Sequence, residues 1–277
     1  MKTSLVIIFM LFWISVHSQQ SDFQFTNTFK YKLTYQEDST NRNNIKELLF
    51  DLLINENESL FQASKSVKAD SISFFHKREK ANQIISIGMP ITAVYKFNYK
   101  IVKRNSIITT YDEVIGYNMD GTVPLYYYNE DREAFENWEL LSDTLRIGNF
   151  LCQKATIQYA GRKWIAYFTP EIPISEGPYT FCGLPGLILK IHDDKNYWNF
   201  DLLTSISHSP PKKVSINFQA KYIIKHVTKD QFFTEREQFQ KNLLLILQSM
   251  GSEVSPTTRE NYHKRLVADN NWIQLFQ

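Results

Sequence analysis

Alternation of apolar and polar residues dominates the first half of the chain. From Phe29 to Tyr35 every second residue is apolar or aromatic, and the residues between them are polar. A period of two is typical of a strand with one buried face. Similar segments recur about every 10 residues, which favours an antiparallel sheet over strand-helix-strand units. The predicted strands are 29–36, two strands flanking the turn at 55–58, then 95–101, 107–117, 123–130, 138–147, 152–159, 163–168, 187–191, 197–206 and 214–218, with a short helix or irregular excursion at 68–83.

Near the C-terminus the apolar residues instead follow the period of a helix. Thr228 and Gln231 have the spacing of a capping box, which marks a helix start. One apolar face then contains Phe232, Phe239, Leu243 and Ile246. The run at 243–247 widens this face and predicts a largely buried helix that ends at Gly251. A shorter helix is predicted from Pro256, and the last apolar residues indicate that the tail packs against the domain: Trp272, Ile273 and Leu275.

These elements predict a mainly β, α+β fold. We expect a curved antiparallel sheet or half-barrel with one buried C-terminal helix. No linker rich in Pro, Gly or Ser divides the chain. Residues 19–277 are therefore expected to form a single domain.

The N-terminus has the pattern of a secretory signal peptide. Lys2 precedes an apolar run of 12 residues, 5–16, whereas a membrane-spanning helix needs about 20. Residues 16–18 approximate the small-x-small cleavage pattern, so we expect cleavage after Ser18. The alternative is an uncleaved anchor helix. No cysteine follows the run, so a lipid anchor is not expected, and export to the periplasm or the extracellular space is predicted.

Composition limits the classes of partner. The formal net charge is +2, which favours neither nucleic acid nor a strongly acidic surface. Aromatic residues make up 14% of the chain, and their strand faces would suit either a packed core or an apolar cavity. The expected partners are an apolar ligand or an outer-membrane or envelope protein. We expect no transmembrane segment in the mature chain.

Only two cysteines are present, Cys152 and Cys182. In an exported protein such a pair is consistent with a disulfide. The alternative is two separate buried thiols that pack as small apolar groups. Their spacing lacks the short pairs that zinc sites use, so no metal is expected.

Candidate catalytic residues are few. The histidines lack metal-ligand spacing, and the chain contains no GxSxG nucleophile motif. A hydrolase site would have to gather the carboxylates of Glu171, Glu176 and Asp193 with the imidazole of His192. For residues 192–196 a polar hairpin turn is the preferred interpretation. No cofactor is expected, since the glycines at 183 and 186 precede a strand and lack the Lys and Ser/Thr of a phosphate loop.

Residues 152–191 contain the most distinctive motifs. Pro170, Pro173 and Pro178 exclude their segment from a central strand. Residues 184–187 fit a type II turn, in which a proline precedes a glycine with positive φ. Gly183 would allow a further bend or a close backbone approach.

This region resembles the GLPGLI family, secreted proteins of Bacteroidetes named after the hexapeptide at 183–188. The motifs C-x-KA, AGR, A-x-FTPEIPI, GPY-x-F and GLPGLI occur in the expected order, and the resemblance covers nearly the whole chain. The chain departs from the family pattern at Cys182, where Gly or Asn is commoner. The family has no established activity, so the resemblance implies no catalytic residue. At the level of fold it is distantly similar to periplasmic lipoprotein carriers, which hold acyl chains in an apolar concavity.

Three hypotheses follow for the function. The first is a non-enzymatic exported protein that binds an apolar ligand, lipid or envelope partner. The second is a hydrolase with a carboxylate and histidine site around 171–194. The third is an interaction protein that docks through the loop at 170–180. The candidate ligand-binding or motif residues are Gly183, Leu184, Pro185, Gly186, Leu187, Ile188, Trp164 and Tyr179.

Overall fold

The structure, a computed structural model, describes residues 21–64, 99–112, 123–216, 222–249, 251 and 253–275. The signal peptide, the segment 68–83 and parts of the strands predicted at 95–101, 107–117 and 214–218 lie outside the described residues. No helix in the described part of the chain is long and apolar enough to span a bilayer.

The strands of these residues form one open sheet of 12 strands. The predicted half-barrel with a C-terminal helix is confirmed. The strands are β1 (Ser21–Gln36), β2 (Ile45–Ile54), β3 (Glu58–Ala63), β4 (Lys100–Arg104), β5 (Ile107–Asp112), β6 (Val123–Asp131), β7 (Glu139–Ile147), β8 (Phe150–Tyr159), β9 (Arg162–Thr169), β10 (Leu187–Asp193), β11 (Trp198–Ile216) and β12 (Tyr222–His226). Their order across the sheet is β12-β6-β5-β4-β3-β2-β1-β11-β10-β9-β8-β7. Two helices follow, α1 (Lys229–Ser249) and α2 (Pro256–Ala268).

Two features of the sheet differ from the prediction. The segment predicted at 197–206 and the described part of the segment predicted at 214–218 belong to one strand, β11, which ends at Ile216. An irregularity opposite Phe25 and Asn27 interrupts the pairing of β11 with β1. The prolines of β11 fall in this interruption, where the missing N–H groups are not needed by the ladder. In addition, β12 pairs with β6 in the parallel direction. No hairpin joins these two strands, so no tight turn imposes the antiparallel direction.

Helix α1 closes one side of the main core. Its capping box is confirmed, since the Thr228 and Gln231 side chains each bond the other's backbone N–H. The buried face contributes Phe232, Phe233, Phe239, Leu243 and Leu244. The helix is buried along this face only, and the expectation of a largely buried helix is wrong: Leu245 is 61% exposed. The opposite face of the helix has no sheet to cover it and contacts solvent.

A second, smaller apolar cluster lies on the other face of the sheet. It contains Phe23, Phe25, Leu53, Leu60 and Val102. Leu53, Leu60 and Val102 are mutual partners on β2, β3 and β4. Side chains alternate along a strand, so they point away from their neighbours Leu52, Phe61 and Ile101 in the main core. The central strands are therefore buried on both faces.

Candidate functional site

The chain between β9 and β10 divides into an exposed part and a buried part. We call residues 170–175 the outer loop, where Pro170, Glu171, Pro173 and Ser175 are exposed. We call residues 176–186 the inner arm, where every residue from 176 to 182 is buried. The segment expected to be a loop at 170–180 is thus exposed over only half of its length.

Lys103 of β4 holds the inner arm in place. Its side chain is fully buried, and Nζ lies 3.0 Å from a carboxylate oxygen of Glu176. The same ammonium donates hydrogen bonds to the carbonyl oxygens of Gly177, at 3.0 Å, and Phe181, at 2.7 Å. All three ammonium donors are therefore engaged by the arm.

Glu176 balances this buried charge. Its carboxylate also pairs with Arg132, which follows β6, and accepts a hydrogen bond of 3.0 Å from the Ser59 hydroxyl on β3. Two cations and a hydroxyl therefore neutralise and satisfy a carboxylate that is buried in the fold. The cluster joins β3, β4 and the inner arm, and its role in the fold is structural.

The glycines of the motif are required by close approaches of backbone. Gly183 has φ +91°, and a Cβ there would overlap the carbonyl oxygen of Phe135. Gly186 does not have a positive φ, so the predicted type II turn is wrong. Its N–H donates to the Leu184 carbonyl at 2.8 Å, which makes a three-residue turn centred on Pro185. A Cβ at Gly186 would overlap the carbonyl oxygen of Thr169.

The candidate residues around the hexapeptide pack against one another and against the sheet. Trp164, Tyr179, Leu184, Leu187 and Ile188 are each at most 1% exposed, whereas Gly183 and Pro185 are exposed. The Tyr31 hydroxyl donates to the Ile188 carbonyl at 2.6 Å, and the ring of Phe181 contacts that of Trp164 with centroids 4.7 Å apart. The aromatic side chains of the inner arm and these rings belong to the main core.

Both cysteines are free thiols in the structure. Cys152 lies on β8, and burial raises the pKa of its thiol to about 11. Cys182 is part of the inner arm, whose backbone is fixed by a bridge to Glu176 and by the Trp138 indole, which donates to the Cys182 carbonyl at 2.9 Å. Burial also raises the pKa of the Cys182 thiol. The disulfide is therefore absent here, and the alternative of two separate buried thiols describes the pair.

The candidate hydrolase residues are held by different partners. Asp193 pairs with Arg162 at 2.9 Å and accepts from the Trp198 N–H. Glu171 accepts from the Leu151 N–H at 3.1 Å, and Nδ1 of His192 lies 2.9 Å from the Asp193 carbonyl. None of these contacts involves Glu176. Within the described ranges, no group of His, Cys, Asp and Glu side chains could hold a metal ion.

Three buried cationic side chains were not predicted from the sequence. They are Lys103, Arg162 and Arg236, which pair with Glu176, Asp193 and Asp112. A signal for two of them was present. Lys103 is two residues from the buried Ile101 and so shares its strand face, and Arg236 lies one helical turn from Phe232 and Phe239.

A surface depression of about 290 Å³ lies away from the motif. Its lining is mixed and mostly polar: Ala134, Asn137, Glu139, Thr156, Ile157, Gln158 and Lys163. It opens on the side of β7, β8 and β9 and contains none of the predicted site residues.

Residues 160–190 match the model of a family described as Protein of unknown function (Porph_ging). This is the GLPGLI family, and the resemblance seen in the sequence is confirmed. The match begins at the AGR turn and ends within β10, so it contains the outer loop and the inner arm. The family name assigns no activity.

Two solved structures show a weak likeness. They are "Structure of PNGF-II in P21 space group" and "Structure of PNGF-II in C2 space group", each with 11% identity and a TM-score of 0.46. The likeness covers 76% of this chain but only 33% and 32% of those chains. This chain therefore spans about a third of their length, and the likeness supports no inference about function. No curated protein matches the sequence.

Proposed function

We propose that this chain is an exported, non-enzymatic protein that binds a protein partner in the cell envelope. The docking surface is the outer loop together with the adjacent hairpin of β7 and β8. Export rests on the signal-peptide pattern of residues 1–18. The single observation that carries the docking surface is an exposed loop that is rigidly fixed beside an exposed apolar hairpin.

Local hydrogen bonds fix the outer loop. Within it, the Ile174 N–H donates to Ile172 at 2.7 Å, and the Leu187 N–H of β10 donates to the Ile172 carbonyl at 3.0 Å. The Glu171 side chain ties the loop to Leu151 of β8. A loop that is already ordered loses little conformational entropy when it binds, which favours its use as a recognition element.

The neighbouring hairpin offers apolar surface and an unpaired edge. Leu151 is 50% exposed and Leu140 is 49% exposed. Leu140 lies on β7 opposite Ala155, and Leu151 lies on β8 opposite Arg146, so the two leucines belong to the two strands of one hairpin. In the described sheet β7 is the terminal strand. Its outward N–H and C=O groups can accept an extended segment of a partner.

The other two hypotheses have less support. An acyl chain in the concavity, as in lipoprotein carriers, would have to displace the buried rings of Trp164, Tyr179 and Phe181. Hydrolysis would need the carboxylates of Glu171, Glu176 and Asp193 to converge, whereas each has its own structural partner. Partner binding needs neither change.

Site-specific photocrosslinking in the intact envelope tests the proposal. A benzophenone amino acid replaces Leu151 or Pro173, and the matched control replaces Ile223 of β12, which is 49% exposed at the opposite edge of the sheet. We expect one protein adduct, shared by the first two positions and absent from the third. A further Leu140→Asp substitution should reduce its yield.

Two outcomes would contradict the proposal. Equal adducts at all three positions would show nonspecific contact. The absence of an adduct at both Leu151 and Pro173 would show that this surface does not bind a partner. Native mass spectrometry of the exported protein distinguishes partner binding from the main alternative, binding of an apolar ligand. A lipid bound at one molecule per chain would favour the apolar-ligand hypothesis instead.

A further inference from the structure

The C-terminal segment, residues 271–275, lies in a cleft beside the AGR turn. Asn271, Ile273 and Gln274 are at most 3% exposed. The helix before them, α2, contributes no buried residue. The segment is thus anchored by its own contacts, at the end of a helix that the core does not enclose.

Arg162 contacts three residues of the segment. Its guanidinium donates to the carbonyl oxygens of Trp272 and Ile273 and to the Asn271 side chain at 2.6 Å. Asp193 pairs with the same guanidinium at 2.9 Å and holds it in orientation. At the far end of the cleft, the Leu275 N–H donates to the Ala160 carbonyl at 2.9 Å.

The contacts of the cleft are those by which proteins bind extended peptides. Several are to main-chain groups, which any extended chain presents. Gly161 permits the approach, since a Cβ there would lie 2.9 Å from both Cβ and the carbonyl oxygen of Leu275. A binding site of this kind reads the direction and spacing of a peptide backbone.

Selectivity comes from three side chains of the segment. The Asn271 amide donates to the Gln36 carbonyl at 2.6 Å, and the Gln274 amide donates to the Tyr179 hydroxyl at 2.5 Å. Ile273 is buried in the main core. The required pattern is therefore Asn-x-Ile-Gln.

We propose that the cleft formed by Ala160–Arg162, Gln36 and Tyr179 is a peptide-binding site that the chain's own C-terminal segment occupies. An extended peptide with the Asn-x-Ile-Gln pattern can displace that segment and bind in its place. The site is separate from the docking surface of β7 and β8, so it does not depend on the proposed function.

In this proposal the peptide replaces the C-terminal segment directly, and the cleft is occupied by one or the other. Without an occupant, Arg162 would keep Asp193 but lose its acceptors on Asn271, Trp272 and Ile273. Buried donors left without acceptors are costly, so an empty cleft is unfavourable. A peptide in trans restores the same acceptors and removes this cost.

The test uses the full chain and a labelled synthetic peptide of residues 269–275. In a chain carrying Asn271→Ala and Gln274→Ala, the competing segment is weakened. We expect this variant to bind the peptide at least about 10-fold more tightly than the unmodified chain, by fluorescence anisotropy. A peptide with the same two substitutions should bind at least about 10-fold more weakly to the variant. Val267→Ala, at a position 76% exposed on α2, is the control and should leave affinity unchanged.

A second measurement needs no substitution. Excess peptide added to the unmodified chain should speed hydrogen exchange of the Leu275 N–H, which loses its bond to Ala160, without affecting amides of β9 and β10. A folded variant that does not bind the peptide, or an unchanged exchange rate at Leu275 under saturating peptide, would overturn the proposal. Should the double variant fail to fold, Gln274→Ala alone replaces it.

Discussion

The outer loop and the inner arm are consecutive in sequence but differ in every physical respect. The outer loop, 170–175, is exposed at four of its six residues and is held by hydrogen bonds within the loop and to Leu187 and Leu151. The inner arm, 176–186, is held by a buried ammonium, by aromatic rings and by backbone contacts that only glycine allows. The GLPGLI hexapeptide begins in the arm and continues into β10. Its residues therefore serve the fold, and the adjacent loop is the part free to contact a partner.

The difference also shows where proline and glycine act. In the outer loop, Pro170 and Pro173 are exposed and restrict the backbone of a segment that packs only Ile172 and Ile174 against the core. In the inner arm, Gly183 and Gly186 leave room for the carbonyls of Phe135 and Thr169. The prolines thus restrict local conformation in the outer loop, and the glycines permit close tertiary packing in the inner arm.

The largest expected effect is at Gly186. Gly186→Ala places a Cβ against the Thr169 carbonyl, which belongs to the sheet and has little freedom to move. We expect a loss of at least about 4 kcal/mol in unfolding free energy, or no folded protein. Urea denaturation followed by circular dichroism measures it. Gly148→Ala is the control, since nothing lies within 4 Å of its Cβ, and should cost only about 1–2 kcal/mol for the left-handed backbone. Equal costs would show that the close approach is not decisive.

Removing the Lys103 ammonium should have the next largest effect. Lys103→Met leaves the Glu176 charge buried beside Arg132 and deprives two carbonyls of their donor. We expect a loss of about 3–5 kcal/mol. Glu176→Gln should cost less in this variant than in the unmodified chain, because the carboxylate has already lost its contact with Lys103. Equal costs of Glu176→Gln in the two chains, by urea denaturation, would contradict the assigned charge pairing.

Alkaline pH should destabilise the inner arm before it affects the outer loop. Burial raises the pKa of Tyr179 well above 10.0 and that of Cys182 above 9.0. The unfolded chain therefore releases these protons at a lower pH than the folded chain does. Their contribution is fully present at lower pH. It is lost as pH rises above about 9 for Cys182 and above about 10 for Tyr179, by about 1.4 kcal/mol per pH unit and group.

Urea midpoints between pH 8 and 10.5, with tyrosinate absorbance, measure this loss. Tyr179→Phe is the matched variant, and its stability should fall less steeply above pH 10. An equal slope in the variant would show that Tyr179 ionises as freely in the folded chain as in the unfolded chain.

The smallest effect on stability is expected in the outer loop. Glu171→Ala removes one exposed side-chain bond to Leu151, so unfolding free energy should change by less than about 0.5 kcal/mol. Its effect on the photocrosslinked adduct from Pro173 should be much larger, because the loop is no longer tied to the hairpin. A large stability loss without loss of the adduct would contradict this prediction, because it would show that the outer loop stabilises the fold and does not contact a partner.

Much of the fold was predictable because strand and helix signals are local. The period of two in β1, the turn between β2 and β3, and the capping box of α1 each depend on residues within a few positions of one another. The continuity of β11 was missed because its prolines resemble a strand end. Strand β12 was not predicted, and no local turn encodes its parallel direction.

The candidate site was predictable only in part. The hexapeptide was found, but the conformation of Gly186 was wrong because the type II turn was inferred from the Pro-Gly pair alone. The disulfide was a fair expectation for an exported pair of cysteines, yet it requires a geometry that separate elements do not provide. The buried cations were missed because charged residues are ordinarily placed on the exposed face.

The sequence by itself determined the class of fold, most strand positions, the family resemblance and the pattern of an exported protein. Hydrophobic periodicity and turn chemistry are local properties, so a single chain displays them. Only the tertiary structure decided that Lys103 clamps a segment 74 residues away, that Arg162 holds the C-terminal segment, and that the two motif glycines face distant carbonyls. These depend on which surfaces meet across the sheet, and that is set by packing of the whole core rather than by any one segment.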